Sequence, residues 1–158
     1  MHAVLPNARD GFEVFDLQTG TVLTSRHADR QFAAMSVVKL LIALDALARN
    51  NWVTPDGDTL ITPQDMVTGY RYLTDQVPGP DRDLLLGALA DAPRIASDGF
   101  KQYFGIPDGL PHTTWAIKQG WGTSGSQAVM ESTGLVGSDL RQLQPRGRSV
   151  SHVIHLTP

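Results

Sequence analysis

Lysine is scarce in this chain, with only Lys39, Lys101 and Lys118 among 158 residues. Two of the three sit where an amine can do chemistry. Ser36-Val-Val-Lys39 opens an apolar run that reads as a helix from Ala33 to Asn50. Residues three apart on a helix stack on one face, so the hydroxyl and the amine can meet. A serine hydroxyl is a poor nucleophile until a neighbouring base takes its proton, and an amine can act as that base when burial or a second cation lowers its pKa. The free N–H groups at a helix start also favour negative charge developing on an attacked carbonyl. The same spacing equally fits an N-cap serine beside a snorkelling surface lysine, so the pair alone does not decide the chemistry.

The second setting is Lys118-Gln119-Gly120, inside a strand predicted over Thr114 to Trp121. Alternation puts Ala116, Lys118 and Gly120 on one face, and Trp115, Ile117, Gln119 and Trp121 on the other. A glycine lets a ligand backbone approach the strand, while the ammonium attracts a carboxylate and depresses the pKa of a nearby lysine.

Taken together, Met35-Ser-Val-Val-Lys39 opening an apolar helix and Trp115-Ala-Ile-Lys-Gln-Gly-Trp121 on a later strand resemble the serine penicillin-recognising superfamily. That superfamily comprises class A β-lactamases, D-alanyl-D-alanine carboxypeptidases and related hydrolases. It pairs Ser-x-x-Lys with a later Lys-[Thr/Ser]-Gly. The resemblance runs from Gly11 to Val136 and implies Ser36 as the acylated nucleophile and Lys39 as its proton acceptor. It also implies Lys118 and Gln119 at the substrate carboxylate, and Gly120 lining the strand edge. Backbone N–H groups of Ser36 and Trp121 would form the oxyanion hole. No metal and no cofactor is implied.

Three departures stand out. Gln119 replaces the hydroxyl residue of the strand motif, and no Ser-x-Asn occurs anywhere. Ser97-Asp98-Gly99 reads as a loop turn instead. The only glutamates, Glu13 and Glu131, fall on predicted strands and match no deacylating position of the class A enzymes. Only 22 residues separate Lys39 from Thr62, where the superfamily keeps most of its helical domain.

The elements that must position these residues follow from the pattern. Gly11 to Ser25 reads as a hairpin, with Phe12, Val14 and Phe15 on one arm and Val22 and Leu23 on the other. Thr62-Pro63-Gln64-Asp65 is a capping box that opens a helix to about Asp75, with Met66, Val67, Tyr70 and Leu73 on one stripe. Pro80 opens another helix through Asp91. Residues 95–112 read as loop with at most one helical turn around Gln102. Gln127 to Val136 forms a second strand after the Gly122-Thr-Ser-Gly-Ser126 loop, and Val150 to Leu156 is a weaker strand candidate. The order predicts an α+β fold, an antiparallel sheet from N- and C-terminal strands packed against helices, with a reduced helical region. It reads as one domain over residues 1–158, with 139–158 a divergent or flexible tail.

Composition excludes several classes. A net charge of −3 gives no reason to expect a nucleic-acid partner. Without cysteine there is no disulfide, thiolate metal site or thiol nucleophile. The longest apolar run, Val37 to Ala48, is interrupted by Lys39 and Asp45 and is too short to span a bilayer. The first ten residues show no secretory signal pattern, although superfamily members work outside the cytoplasmic membrane. No Gly-x-Ser-x-Gly elbow occurs. His152 and His155, Arg141, Arg146 and Arg148 read as solvated side chains, and Trp115 and Trp121 as core.

The expected function is acyl transfer from a β-lactam or a peptidoglycan-type D-Ala-D-Ala peptide to Ser36. The alternatives are a binding module of the same fold without turnover, and an internally shortened member of the superfamily.

Overall fold

The computed structural model describes residues 9–49, 58–137 and 150–157. A five-stranded antiparallel sheet has the order β2-β1-β7-β6-β5, built from β1 (Gly11–Asp16), β2 (Thr21–Arg26), β5 (Thr114–Ser124), β6 (Gln127–Gly137) and β7 (Val150–Thr157). Two-residue strands β3 (Phe32–Ala33) and β4 (Leu60–Ile61) pair separately. The helices are α1 (Val38–Arg49), α2 (Pro63–Asp75), α3 (Gly79–Ala90) and the single turn α4 (Ile106–Gly109). This is the expected α+β layout.

β1 alternates buried and half-buried positions, as a strand with one face on a core must. Phe15, Ala116 and Leu135 line that face and meet Val38, Leu44, Met66, Tyr70 and Leu73 from the helices. Ile117 and Val136 point the other way, into a smaller core with Ile106. β5 is the edge strand on the side opposite β2, so one row of its backbone groups has no strand partner.

α2 begins where its sequence requires. The Thr62 side chain accepts from Asp65 N at 3.0 Å, the Asp65 carboxylate accepts from Thr62 N at 2.8 Å, and Pro63 occupies the first turn. The buried stripe of Met66, Val67, Tyr70 and Leu73 is the one periodicity indicates.

The structure departs from expectation in four places. The helix expected from Ala33 starts at Val38, and Met35–Val37 forms a tight 3₁₀ turn before it. Although its apolar positions fall on nearly every face, which predicts burial all round, Lys39 and Leu47 are exposed. The one helical turn in the 95–112 loop lies at Ile106–Gly109, whereas Gln102 is a buried loop residue held by its side-chain bond to Pro93 O. The β5–β6 hairpin runs on to Ser124 and Gln127 and closes over Gly125-Ser126, Gly125 having φ +59°. Finally, residues 150–157 are no tail. They form the central strand, pairing with β1 on one side and β6 on the other, so the fold joins its N-terminal hairpin to the rest of the sheet through its last strand. The helix stop expected at Asn50-Asn51 and the arginine-bearing segment 140–149 lie outside the described residues.

Thr62→Ala removes the side-chain half of the capping box. It is expected to cost about 1 kcal/mol and to lower the midpoint of thermal unfolding by about 2–4 °C, with an unchanged melting curve contradicting this role.

Candidate active site

Ser36 sits in the middle of a turn whose shape is set by long-range contacts. Ala34 N donates to Thr59 O at 2.8 Å, and the β3–β4 pair fixes the chain on either side of that bond. Met35 has φ +45°, a left-handed conformation that is costly for a residue with a bulky side chain. Two glycines of β5 accommodate it. A Cβ at Gly120 would lie 3.0 Å from Met35 Cβ and 3.1 Å from both Ala34 O and Ser36 N. One at Gly122 would lie 2.8 Å from Met35 Sδ. The turn therefore presses its backbone onto the strand only because side chains are missing there.

Lys39, one turn on, donates from Nζ to Ser36 Oγ at 3.2 Å. Lys118 lies on the same sheet face as Gly120, as alternation predicts. Its Nζ donates to Gln119 O at 2.7 Å. Burial first, and the positive charge of Lys39 second, lower its pKa to about 8. The two ammonium groups are thus close enough to interact, and the structure brings Ser36, Lys39, Lys118 and Gly120 to one place.

Gln119 and Trp121 are on the opposite face. Gln119 is 1% exposed, and its Nε2 donates to Gln102 O at 2.9 Å and Phe104 O at 2.7 Å. Its side-chain N–H groups are committed to bracing the 102–104 loop, so Gln119 does not stand in for the hydroxyl that its place in the motif suggests. Its Oε1 is buried without a hydrogen-bond partner. The half-buried Trp121 ring stacks on Phe100 with centroids 4.9 Å apart, and its indole N–H donates to Asp98 Oδ2 at 3.2 Å. Asp98 belongs to the Ser97-Asp98-Gly99 turn, where its other oxygen accepts from Phe100 N at 3.0 Å and Gly99 has φ +85°. That segment is a loop turn, as read, which anchors a tryptophan. Trp115 meets Tyr103 edge to face at 5.1 Å and is part of the smaller core.

One group at this site was not singled out by the sequence. Glu131 pairs in register with Gly120 and is 0% exposed, with neither carboxylate oxygen hydrogen-bonded. Burial pushes its pKa up to about 8. Directly opposite residues of an antiparallel pair share a face, so Glu131 lies on the face against which the 35–37 turn packs. Two residues along on the same face, Lys118 faces the buried Thr133. A Glu next to Ser132 and Thr133 on a strand opposite a Lys-x-Gly is the only sequence signal for this polar strip. His152 and His155 lie on β7, where His155 pairs in register with Glu13 and with Thr133. Among the described residues no group of three or more His, Asp or Glu side chains is placed to hold a metal, and no helix is long and apolar enough to cross a membrane.

Comparison with solved structures identifies the architecture. The chain superposes on a β-lactamase from Desulfarculus baarsii with a TM-score of 0.67, over 96% of this chain and 82% of that one, at 13% identity. The fold is β-lactamase-like. Among curated proteins, the chain is 34% identical over 90 residues to "Putative lipoprotein LppW" of Mycobacterium tuberculosis and of Mycobacterium bovis. The match covers 54% of this chain and 29% of the length of those relatives. No protein-family model matches.

The buried Glu131 carboxyl gives a pH signature. Its folded pKa of about 8 lies above the ordinary 4.5, so the folded state holds the proton more tightly than the unfolded one. Stability is fully present below about pH 4.5 and falls as pH rises towards 8. Glu131→Gln removes that dependence. Its melting temperature, measured by circular dichroism, is expected to match the wild type near pH 4.5 and to exceed it by several degrees, on the order of 5 °C, at pH 8.5. A constant difference across that range contradicts the assignment.

Proposed function

We propose that this protein is a serine acyl-transfer protein acting on β-lactams or D-Ala-D-Ala-like peptides through a Ser36 ester. The observation that carries the reading is the 3.2 Å contact of Lys39 Nζ with Ser36 Oγ beside the glycine of β5. In the reaction, unprotonated Lys39 takes the hydroxyl proton as Oγ attacks the amide carbonyl carbon. The C–N bond then breaks and Lys39 returns the proton to the leaving nitrogen. Ser36 N–H and Trp121 N–H stabilise the oxyanion. Lys118, in its charged form, holds the substrate carboxylate.

The reading favours acylation over turnover. Glu131 is sealed within the fold with its proton retained, which leaves no free carboxylate there to activate a hydrolytic water. Slow release of the ester makes the protein a penicillin-binding type, and the β-lactamase-like fold supports either outcome.

Intact-protein mass spectrometry after incubation with a penicillin is expected to show one covalent adduct, absent in Ser36→Ala. No adduct on the wild type overturns the reading. Reversible penicillin binding that survives Ser36→Ala unchanged replaces it with a binding module. The second-order labelling rate should fall as pH rises through about 8, where free Lys118 loses its proton. Lys118→Arg, which keeps its charge, is expected to shift that alkaline limb upward, and an unshifted limb assigns it to another group.

A further inference from the structure

With no cysteine in the chain, its four methionines hold all of its sulfur. Met1 lies outside the described residues, Met66 is 0% exposed, and Met130 is half-buried on β6 in register with Trp121. Met35 differs from these because its thioether belongs to the contact that displays Ser36. A Cβ at Gly122 would lie 2.8 Å from its Sδ and 3.9 Å from its Cε, so the sulfur rests on bare strand backbone. Packing of this kind is what keeps a residue in a costly left-handed conformation, here φ +45°. The contact is not sealed. Met35 is 9% exposed, the most open of the buried apolar side chains among the described residues, and Gly122 beneath its sulfur is exposed.

We propose that Met35 is an oxidation site, at which hydrogen peroxide converts the thioether to the sulfoxide and so withdraws Ser36 from β5. The sulfur lone pair attacks one peroxide oxygen, the O–O bond breaks, and that oxygen stays on sulfur. The other oxygen takes the remaining protons and leaves as water, so sulfur loses two electrons and the peroxide gains them. The product is polar and bulkier than the thioether. An oxygen does not fit between Sδ and the strand, where the position of a Cβ at Gly122 is already only 2.8 Å from the sulfur. Met35 therefore lifts from the strand to hydrate its new oxygen, because a buried acceptor without a donor is unfavourable. Ala34 O and Ser36 N, each 3.1 Å from the position of a Cβ at Gly120, move with it. The loss of acyl transfer rests on the Ser36 reading, whereas the oxidation and the loosened turn do not.

Graded treatment of the full chain with hydrogen peroxide tests this, with peptide mapping by mass spectrometry to score each methionine. Melting temperature and the rate of labelling by a fluorescent penicillin are read on the same samples. Met35 sulfoxide is expected to form while Met66 stays reduced. Melting should fall by at least about 3 °C as it forms, and labelling should slow at least about tenfold. Met35→Leu, which keeps an apolar side chain of similar volume without sulfur, is compared with itself before and after peroxide and should lose neither. Met130→Leu should lose both, as the wild type does. Met35 still reduced when Met130 is fully oxidised overturns the proposal. So does Met35 sulfoxide with unchanged melting, or a Met35→Leu protein as sensitive to peroxide as the wild type. The two readings fail separately: without any penicillin adduct, the fall in melting temperature on Met35 oxidation still supports the oxidation site while acyl transfer is removed. An adduct whose rate ignores Met35 oxidation retains acyl transfer and overturns the oxidation site.

Discussion

The site depends on one close approach, the backbone of Ala34 to Ser36 pressed against β5 at Gly120. A methyl group at that glycine would collide with a carbonyl oxygen, a backbone nitrogen and Met35 at 3.0–3.1 Å. Met35 accepts a left-handed backbone to bring the serine to the strand, a strain of about 1–3 kcal/mol that surrounding packing must hold in place. That packing comes from distant parts of the chain. Thr59 receives the Ala34 N–H, the β3–β4 pair flanks it, and α1 follows with Leu40 and Leu44 buried. Ser36 is consequently displayed by tertiary structure more than by the helix after it.

Charge on the buried sheet face follows the same geometry. Lys118 and Glu131 stand near the place where the turn lies on the sheet, and burial drives both towards their neutral forms. Keeping Lys118 half-buried next to Lys39 sacrifices stability for an anion-attracting edge, the kind of pKa displacement that marks functional sites. Leaving Glu131 protonated and unpaired is a further cost, and nothing in its hydrogen bonding offsets it. The fold tolerates these costs because the remaining rows of the same face, Phe15, Leu135 and Ala116, pack against α1 and α2 as an apolar core.

Much of this was legible in the sequence where local rules apply. The three-residue spacing of Ser36 and Lys39 predicted their contact, although they meet through a 3₁₀ turn entering α1 and not within one regular helix. Strand alternation placed Lys118 and Gly120 on one face, and the capping box placed α2 to the residue. What was not legible depends on partners far away in the chain. Gln119 looks like a substrate contact in its motif, but carbonyls 15 and 17 residues earlier claim its amide. Met35 looks like an ordinary helix former, and only the glycines of β5 explain its backbone. Residues 150–157 read as a weak strand, but their central place in the sheet is set by pairing with β1 and β6, which no local pattern encodes.

Gly120 separates the central claim from its alternatives. A Cβ there meets rigid backbone, whereas one at Gly87, exposed on α3, meets nothing within 4 Å. Calorimetric melting of Gly120→Ala beside Gly87→Ala therefore tests whether the backbone approach governs the site. Gly120→Ala should lose about 1–3 kcal/mol of stability, whereas Gly87→Ala should lose none. Equal melting temperatures, or a larger loss at Gly87, would contradict the account.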